Sequence, residues 1–364
     1  MAAYDGRRIM RIGKGLFMLA FTAAGGAVVQ LPVFVPVYRT DYPFSLFSDE
    51  YREAGLSACM MNAFLLYKDR ATRARFADGL TLRAHIGGFD GMICTDSGAF
   101  QGFRRPLYLK NETIVRFQNQ IRADVAAPID LITPPGDKRT VAEDKMQVSY
   151  KRTLAALPLC EYAVLAGIQQ GGRFLDLRRR HIRMLAALDM QYYGIGSLVP
   201  FFNKKHDLGF CCQVIGDARG AIGPGKPLHV YGAGDPLEIP FLHRAGANVF
   251  DSSSYAHFAN SGYYMTPYGA VNQADALGRI GYRCPCPVCA EGSPLGAPGA
   301  PDCADRLQRH NLHVIFRVVA DIRALEDEKS HDAYLADVLQ KHMALFPESK
   351  LRGSWEKVSE RLFA

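Results

Sequence analysis

No stretch of this 364-residue chain stays apolar long enough to span a bilayer, and no segment repeats at a period of about 20 to 50 residues. The first absence argues against a membrane protein, the second against a solenoid or propeller. At 48% hydrophobic and 22% charged residues, neither intrinsic disorder nor a collagen-like array fits. Lysine is scarce beside arginine, so the cations are mainly planar forks suited to phosphates and carboxylates. The nine cysteines are an odd number, three of them tightly grouped, which suits a metal site in a reducing compartment better than a disulfide framework. A cytoplasmic protein is expected, in the host cytoplasm if phage-encoded.

What is present is a folded chain with a formal charge of +7, mild enough to suit a polyanionic partner without requiring one. Near the N-terminus Arg8, Arg11 and Lys14 precede an apolar run at 16–20, as in a secretory signal. That run is short, it is broken by Thr22 and Gly25, and a second apolar run at 28–37 follows at once, so a pair of opening strands is the expectation. Residues 48–67 mix acids with Leu56, Met60 and Met61 and are compatible with a helix or a short strand.

From Gly91 a rhythm sets in: short apolar runs end on a polar or glycine residue, and longer helical patterns follow, such as 141–156 and 174–188. The runs end at Asp96, Asp130, Gln169 with Gln170, Gly196 with Ser197, residues 232–234 and Asp251. Alternating strands and helices imply parallel strands whose polar ends share one rim. The expected fold is α/β, a (β/α)₈ barrel over 1–280, where Asp96, Asp130, Gln169 and Asp251 converge from separate strands. A doubly wound sheet is the competing arrangement, but no glycine-rich phosphate turn follows the first strand of the series. A zinc-binding module is expected at 281–325 and C-terminal helices at 326–364, with helical patterns at 314–328 and 331–345.

The stretch MICTDSGAFQ at 92–101 stops an apolar run on Asp96 and then turns through small residues. It reads as a strand delivering a carboxylate to a sheet rim, although Asp before small residues is also a common helix cap. Cys284, Cys286 and Cys289 form C-x-C-x-x-C; with one imidazole they make a closed tetrahedral zinc set, which is structural because no coordination position stays open. His310, His313 and Cys303 compete for the fourth place.

TDSGAFQ at 95–101, GIQQGG at 167–172, GIGSLVP at 194–200, HVYGAGDP at 229–236, FDSSSYA at 250–256 and the cysteine cluster together resemble the guanine transglycosylases, in family order from about residue 9 to residue 320. That family are zinc-containing barrel pentosyltransferases that exchange a guanine in nucleic acid for a free 7-deazaguanine. The resemblance implies Asp251 as nucleophile and Asp96 as general acid/base. It implies Asp130, Gln169, Gly196, Ser197 and Leu198 as readers of the base edge, Phe100 and Tyr231 as its sandwich, and His310 as the fourth ligand of one Zn²⁺. Ser197 stands where the family usually has Gly, and Ala99 where Gly or Ser is common. Both departures bear on base preference.

The chemistry agrees: exchange with retention needs one carboxylate to attack the anomeric carbon and a second acid to protonate the leaving base. A catalytically silent nucleic-acid-binding subunit would be expected to lack one of these acids, and both are present. FDSSSYA and HVYGAG resemble the archaeosine-type branch, while the expected absence of further RNA-binding domains favours the branch that inserts a preQ0-like base into DNA. DNA is therefore the expected substrate, with tRNA the alternative, and a homodimer or partner proteins are compatible with either. Arg104, Arg105, the arginines at 178–183, Lys204, Lys205 and His206 are the candidate phosphate contacts.

Overall fold

The computed structural model describes residues 7–10, 18–39, 45–99, 109–202, 207–296 and 303–362. Strands β1 (Arg7–Met10), β2 (Met18–Thr22) and β3 (Val28–Gln30) form an antiparallel sheet. Eight parallel strands follow: β4 (Val33–Pro36), β5 (Ala58–Asn62), β6 (Met92–Asp96), β7 (Val125–Ala126), β8 (Val164–Gln169), β9 (Tyr192–Ile195), β10 (Leu228–Val230) and β11 (Val249–Ser252). They pair in sequence order, and β11 pairs with β4. A parallel bridge between Val37 and Met60, with Tyr38 N–H donating to the Met60 carbonyl at 2.8 Å, joins β4 to β5 and closes the ring. The fold is thus the expected (β/α)₈ barrel.

The side-chain period of two divides the hydrophobic residues into two cores. Val33, Val35, Ala58, Met60, Met92, Cys94, Val125, Ala166, Ile168, Tyr192 and Val249 fill the lumen. Their neighbours Phe34, Cys59, Met61, Ile93, Leu165, Tyr193 and Phe250 face outward onto the helices. Helix Leu175–Ala186 shows why these segments are helical: Leu177, His181, Ile182 and Leu185 recur on one face, and all four are buried. The antiparallel sheet covers the N-terminal end of the lumen, where Phe21 meets the edge of Tyr192 and buried Asp124, just ahead of β7, accepts from Gly25 N–H at 2.6 Å. The opposite rim is left for chemistry.

The segment at 48–67, compatible with helix or strand in sequence, contains both: helix Asp49–Glu53, then β5, then helix Ala63–Lys68. After β11 and the short helix Ser254–Asn260, the chain forms a hairpin of β12 (Tyr264–Thr266) and β13 (Gly269–Val271), passes the cysteine cluster and enters helix Cys303–Arg323. That helix begins earlier than the pattern at 314–328 suggests. It packs on the barrel: Phe316 meets Phe34 of β4 edge-on, and the Arg323 guanidinium donates to the Pro32 carbonyl. Leu312, Ile315, Val319, Leu335 and Trp355 share the outer core with barrel residues. Among the described residues no helix is long and apolar enough to cross a membrane.

Candidate active site and metal centre

The lumen parity that buries Met92 and Cys94 brings Asp96 to the mouth of β6, and the parity that buries Val249 does the same for Asp251 on β11. Asp96 lies beside Asn62, its register partner at the end of β5. Asn62 Oδ1 accepts from Leu65 N–H at 2.9 Å and so caps helix Ala63–Lys68, which leaves its Nδ2 to donate to Asp96 Oδ1 at 2.8 Å. Gly98 N–H donates to the same oxygen at 2.7 Å. Burial raises the Asp96 carboxyl to about 7, with Asp251 and Asp130 adding repulsion and the two hydrogen bonds opposing it. A proton on this group therefore resides on Oδ2.

Asp251, 7% exposed, is held differently. Its Oδ1 accepts from Gly232 N–H at 3.0 Å and from His229 Nε2 at 2.8 Å. With Nε2 as the donor, His229 Nδ1 accepts from the Tyr192 hydroxyl at 3.0 Å. Tyr231 stacks on the His229 ring, centroids 4.1 Å apart, and fits over Gly194, where a Cβ would lie 2.5 Å from the Tyr231 ring. One carboxyl thus titrates near neutrality while the other is clamped by two donors.

Asp130 is the third acid. Burial raises its pKa, opposed by the amide of Gln170, whose Nε2 donates to Asp130 Oδ2. The glutamine beside Asp130 is Gln170 and not Gln169. Gln169 turns outward from β8, its Nε2 donating to the Arg178 carbonyl at 3.0 Å. The parity of Ala166 and Ile168 puts residue 170 on the lumen side, so Gln170, and not the expected Gln169, stands beside Asp130.

Arg178, expected among the phosphate contacts, is 1% exposed. Its guanidinium donates to the carbonyls of Gly172 at 2.6 Å and Gly196 at 3.1 Å, stapling the loops after β8 and β9. Its reach to the Ser197 carbonyl is 3.4 Å. Planar trans peptides then direct the N–H groups of Ser197 and Leu198 the opposite way. Leu198 is fully buried, its side chain in the outer core. Within the same arginine run Arg179 pairs with Asp217 and Arg180 with Glu143. Phe100, Arg104, Arg105, Lys204, Lys205 and His206 lie outside the described residues.

Sequence reasoning missed Asn62, Gln170, His229 and Gly232. Asn62 and Gln170 carry a readable signal, since each has lumen parity at or just past a strand end.

The ligand atoms of Cys284, Cys286, Cys289 and His310 lie within 4.8 Å of one another. Bonds of about 2.3 Å to sulfur place tetrahedral ligands about 3.8 Å apart, so the set fits one Zn²⁺ with no open position. His310 Nε2 meets the Met265 carbonyl at 2.9 Å, which leaves Nδ1 for the metal, 3.3 Å from Cys289 Sγ. Tyr264 stacks on the ring with centroids 3.6 Å apart. The competitors are engaged elsewhere: His313 Nε2 meets Glu50 at 2.8 Å, and Cys303 Sγ faces the Pro294 carbonyl. The zinc it binds is structural, tying the β12–β13 hairpin to helix Cys303–Arg323.

Residues 18–344 match the family model described as queuine tRNA-ribosyltransferase. The chain is similar to the tRNA-guanine(15) transglycosylase of Methanopyrus kandleri, 32% identical over 302 residues, which cover 82% of this chain and 64% of that protein. It is similar also to the tRNA-guanine(15) transglycosylase of Pyrococcus abyssi, 31% identical over 86% of this chain and 52% of that protein. The chain thus spans between about half and two thirds of the length of these relatives. With its barrel, its rim acids and its Cys₃His cluster all inside the matched region, the chain belongs to the queuine tRNA-ribosyltransferase family.

Proposed function

We propose that this chain is a guanine transglycosylase that exchanges a guanine of tRNA for a 7-deazaguanine. The observation that carries the reading is the division of labour between two acids at one mouth, Asp96 raised to about 7 and Asp251 fixed by His229 and Gly232. Asp251 attacks the anomeric carbon and forms an ester as the C–N bond breaks, and Asp96 gives its proton to the departing guanine. The incoming base then passes a ring N–H proton to Asp96 and attacks the same carbon, which releases the Asp251 carboxylate. No external oxidant or energy source is consumed. Asp130 and Gln170 supply the acceptor and donor against which a guanine edge is read, with the N–H of Ser197 beside them. Zinc keeps the module folded.

Among the described residues the site geometry offers nothing specific to DNA. The relatives' names support tRNA. Incubating the protein with labelled guanine and either tRNA transcripts or duplex DNA tests this, and label is expected in tRNA. Label confined to DNA overturns the choice of substrate. Wild-type exchange in Asp251→Asn overturns the mechanism.

A further inference from the structure

Ser197 has φ +59°, a left-handed conformation that disfavours any residue with a Cβ. A non-glycine residue held there needs a reason, and its side chain supplies one. Thr133 N–H, a backbone group that can only donate, bonds to Ser197 Oγ at 2.9 Å. The hydroxyl proton is thereby free to go to Gln170 Oε1, 2.6 Å away. With its oxygen taken, Gln170 faces Asp130 Oδ2 with its amide nitrogen. The chain from Thr133 through Ser197 and Gln170 to Asp130 runs in one direction, from a peptide N–H that can only donate to a carboxyl oxygen that accepts.

Space enforces the same arrangement. A Cβ at Gly196 would lie 2.3 Å from Gln170 Nε2 and 3.3 Å from Asp130 Oδ2, so the amide fills the volume that a side chain there would take. Gln170 is fully buried, whereas Asp130 is partly exposed at the mouth. The Asp130 carboxyl takes the nitrogen end of that buried amide, and the Ser197 hydroxyl gives its proton to the oxygen end.

We infer that Ser197 is a positioning residue of the base-reading edge: by holding Gln170 with its amide nitrogen on Asp130 it keeps Asp130 an acceptor, so the pocket selects purines with a ring N–H beside a 2-amino group. The inference rests on the exchange reading above and deepens it. Without the hydroxyl, Gln170 Oε1 becomes a buried acceptor with no partner, and turning the amide relieves it once Asp130 takes a proton to face that oxygen. The edge then has no single polarity, and a bare ring nitrogen is tolerated where guanine carries N–H.

The test compares guanine with 2,6-diaminopurine, which keeps the 2-amino group but has a bare ring nitrogen in place of that N–H. Affinities for both free bases are measured by calorimetry, and exchange of both into tRNA is followed, for wild type, Ser197→Gly and Ser197→Ala. Both variants lack the hydroxyl, but only glycine relieves the backbone. The guanine preference is expected to fall about tenfold in both, with Ser197→Gly at least as heat-stable as wild type. Wild-type preference in both variants, or a loss in only one of them, overturns the inference while the exchange reading stands. A wild-type protein that neither binds nor exchanges guanine overturns both.

Discussion

Asp96 differs from an ordinary rim carboxylate in where its hydrogen bonds come from. Both donors, Asn62 and Gly98, reach the same oxygen, so the other is left to carry a proton into the mouth. Its carboxyl is raised from 3.8 to about 7 by burial, and the sign of the consequence follows. As pH climbs from about 4 to 7 the unfolded chain ionises this group and the folded chain does not, so Asp96 costs stability progressively and in full above 7. Asparagine can accept the same two hydrogen bonds without a charge. Asp96→Asn should therefore gain on wild type as pH rises from 4.5 to 8, by about 2 kcal/mol after allowance for partial exposure, while losing exchange. Denaturant melts at the two pH values check it, and a gap that shrinks with pH would reverse the assignment. Sequence alone showed this residue and Asp251 because each ends an apolar run on an acid. Two identical glutamines stand side by side at 169 and 170, and only the lumen parity of Ala166 and Ile168 shows that Gln170 is the one beside Asp130.

Helix Leu175–Ala186 reads in sequence as a basic surface, yet its first arginine is a buried staple. Four arginines look alike in a string, and only the packed helix shows that Arg178 shares the inward face with Leu177 and Ile182. Burial pulls its guanidinium down to about 10, and its donors hold the loop carbonyls that shape the mouth. Arg178→Met should cost ~3 kcal/mol, since it leaves the Gly172 and Gly196 carbonyls short of a donor, and should lower exchange without changing the salt dependence of tRNA binding. A flattened salt slope with unchanged stability would return Arg178 to the phosphate contacts. Helix Cys303–Arg323 makes a similar point for the metal. His310 and His313 are three residues apart, and in sequence only the resemblance separates them. In the fold one faces the thiolates and the other faces Glu50. His310→Ala should lose zinc on purification and His313→Ala should keep it, as metal analysis will show; the reverse result would move the fourth ligand.

At the scale of the whole molecule the barrel was legible because each strand ends on a polar residue and precedes a helical pattern, a rhythm few folds produce. The closure was not, since the bridge between Val37 and Met60 needs a strand at 58–62, inside a segment equally compatible with helix. The mode of nucleic-acid binding was least legible, because sequence counts cations without showing which are already neutralised. The structure removes several: Arg139 pairs with Asp176, Arg180 with Glu143 and Arg244 with Glu328 and Asp332. Arg173 is different. It is exposed on the loop after β8, directly beyond Gly171 and Gly172, and lies over the Phe174 ring with no ion pair among the described residues. A cation there stands at the strand ends that hold the acids, where the backbone flanking an extruded nucleotide must pass. Arg173→Ala should weaken tRNA binding regardless of sequence and reduce the slope of log affinity against log salt by about one, whereas Arg180→Ala, which only frees Glu143, should leave the slope nearly unchanged. Filter binding over a salt series separates the two. Equal slopes for wild type and Arg173→Ala would mean that the phosphates run along another side of the mouth.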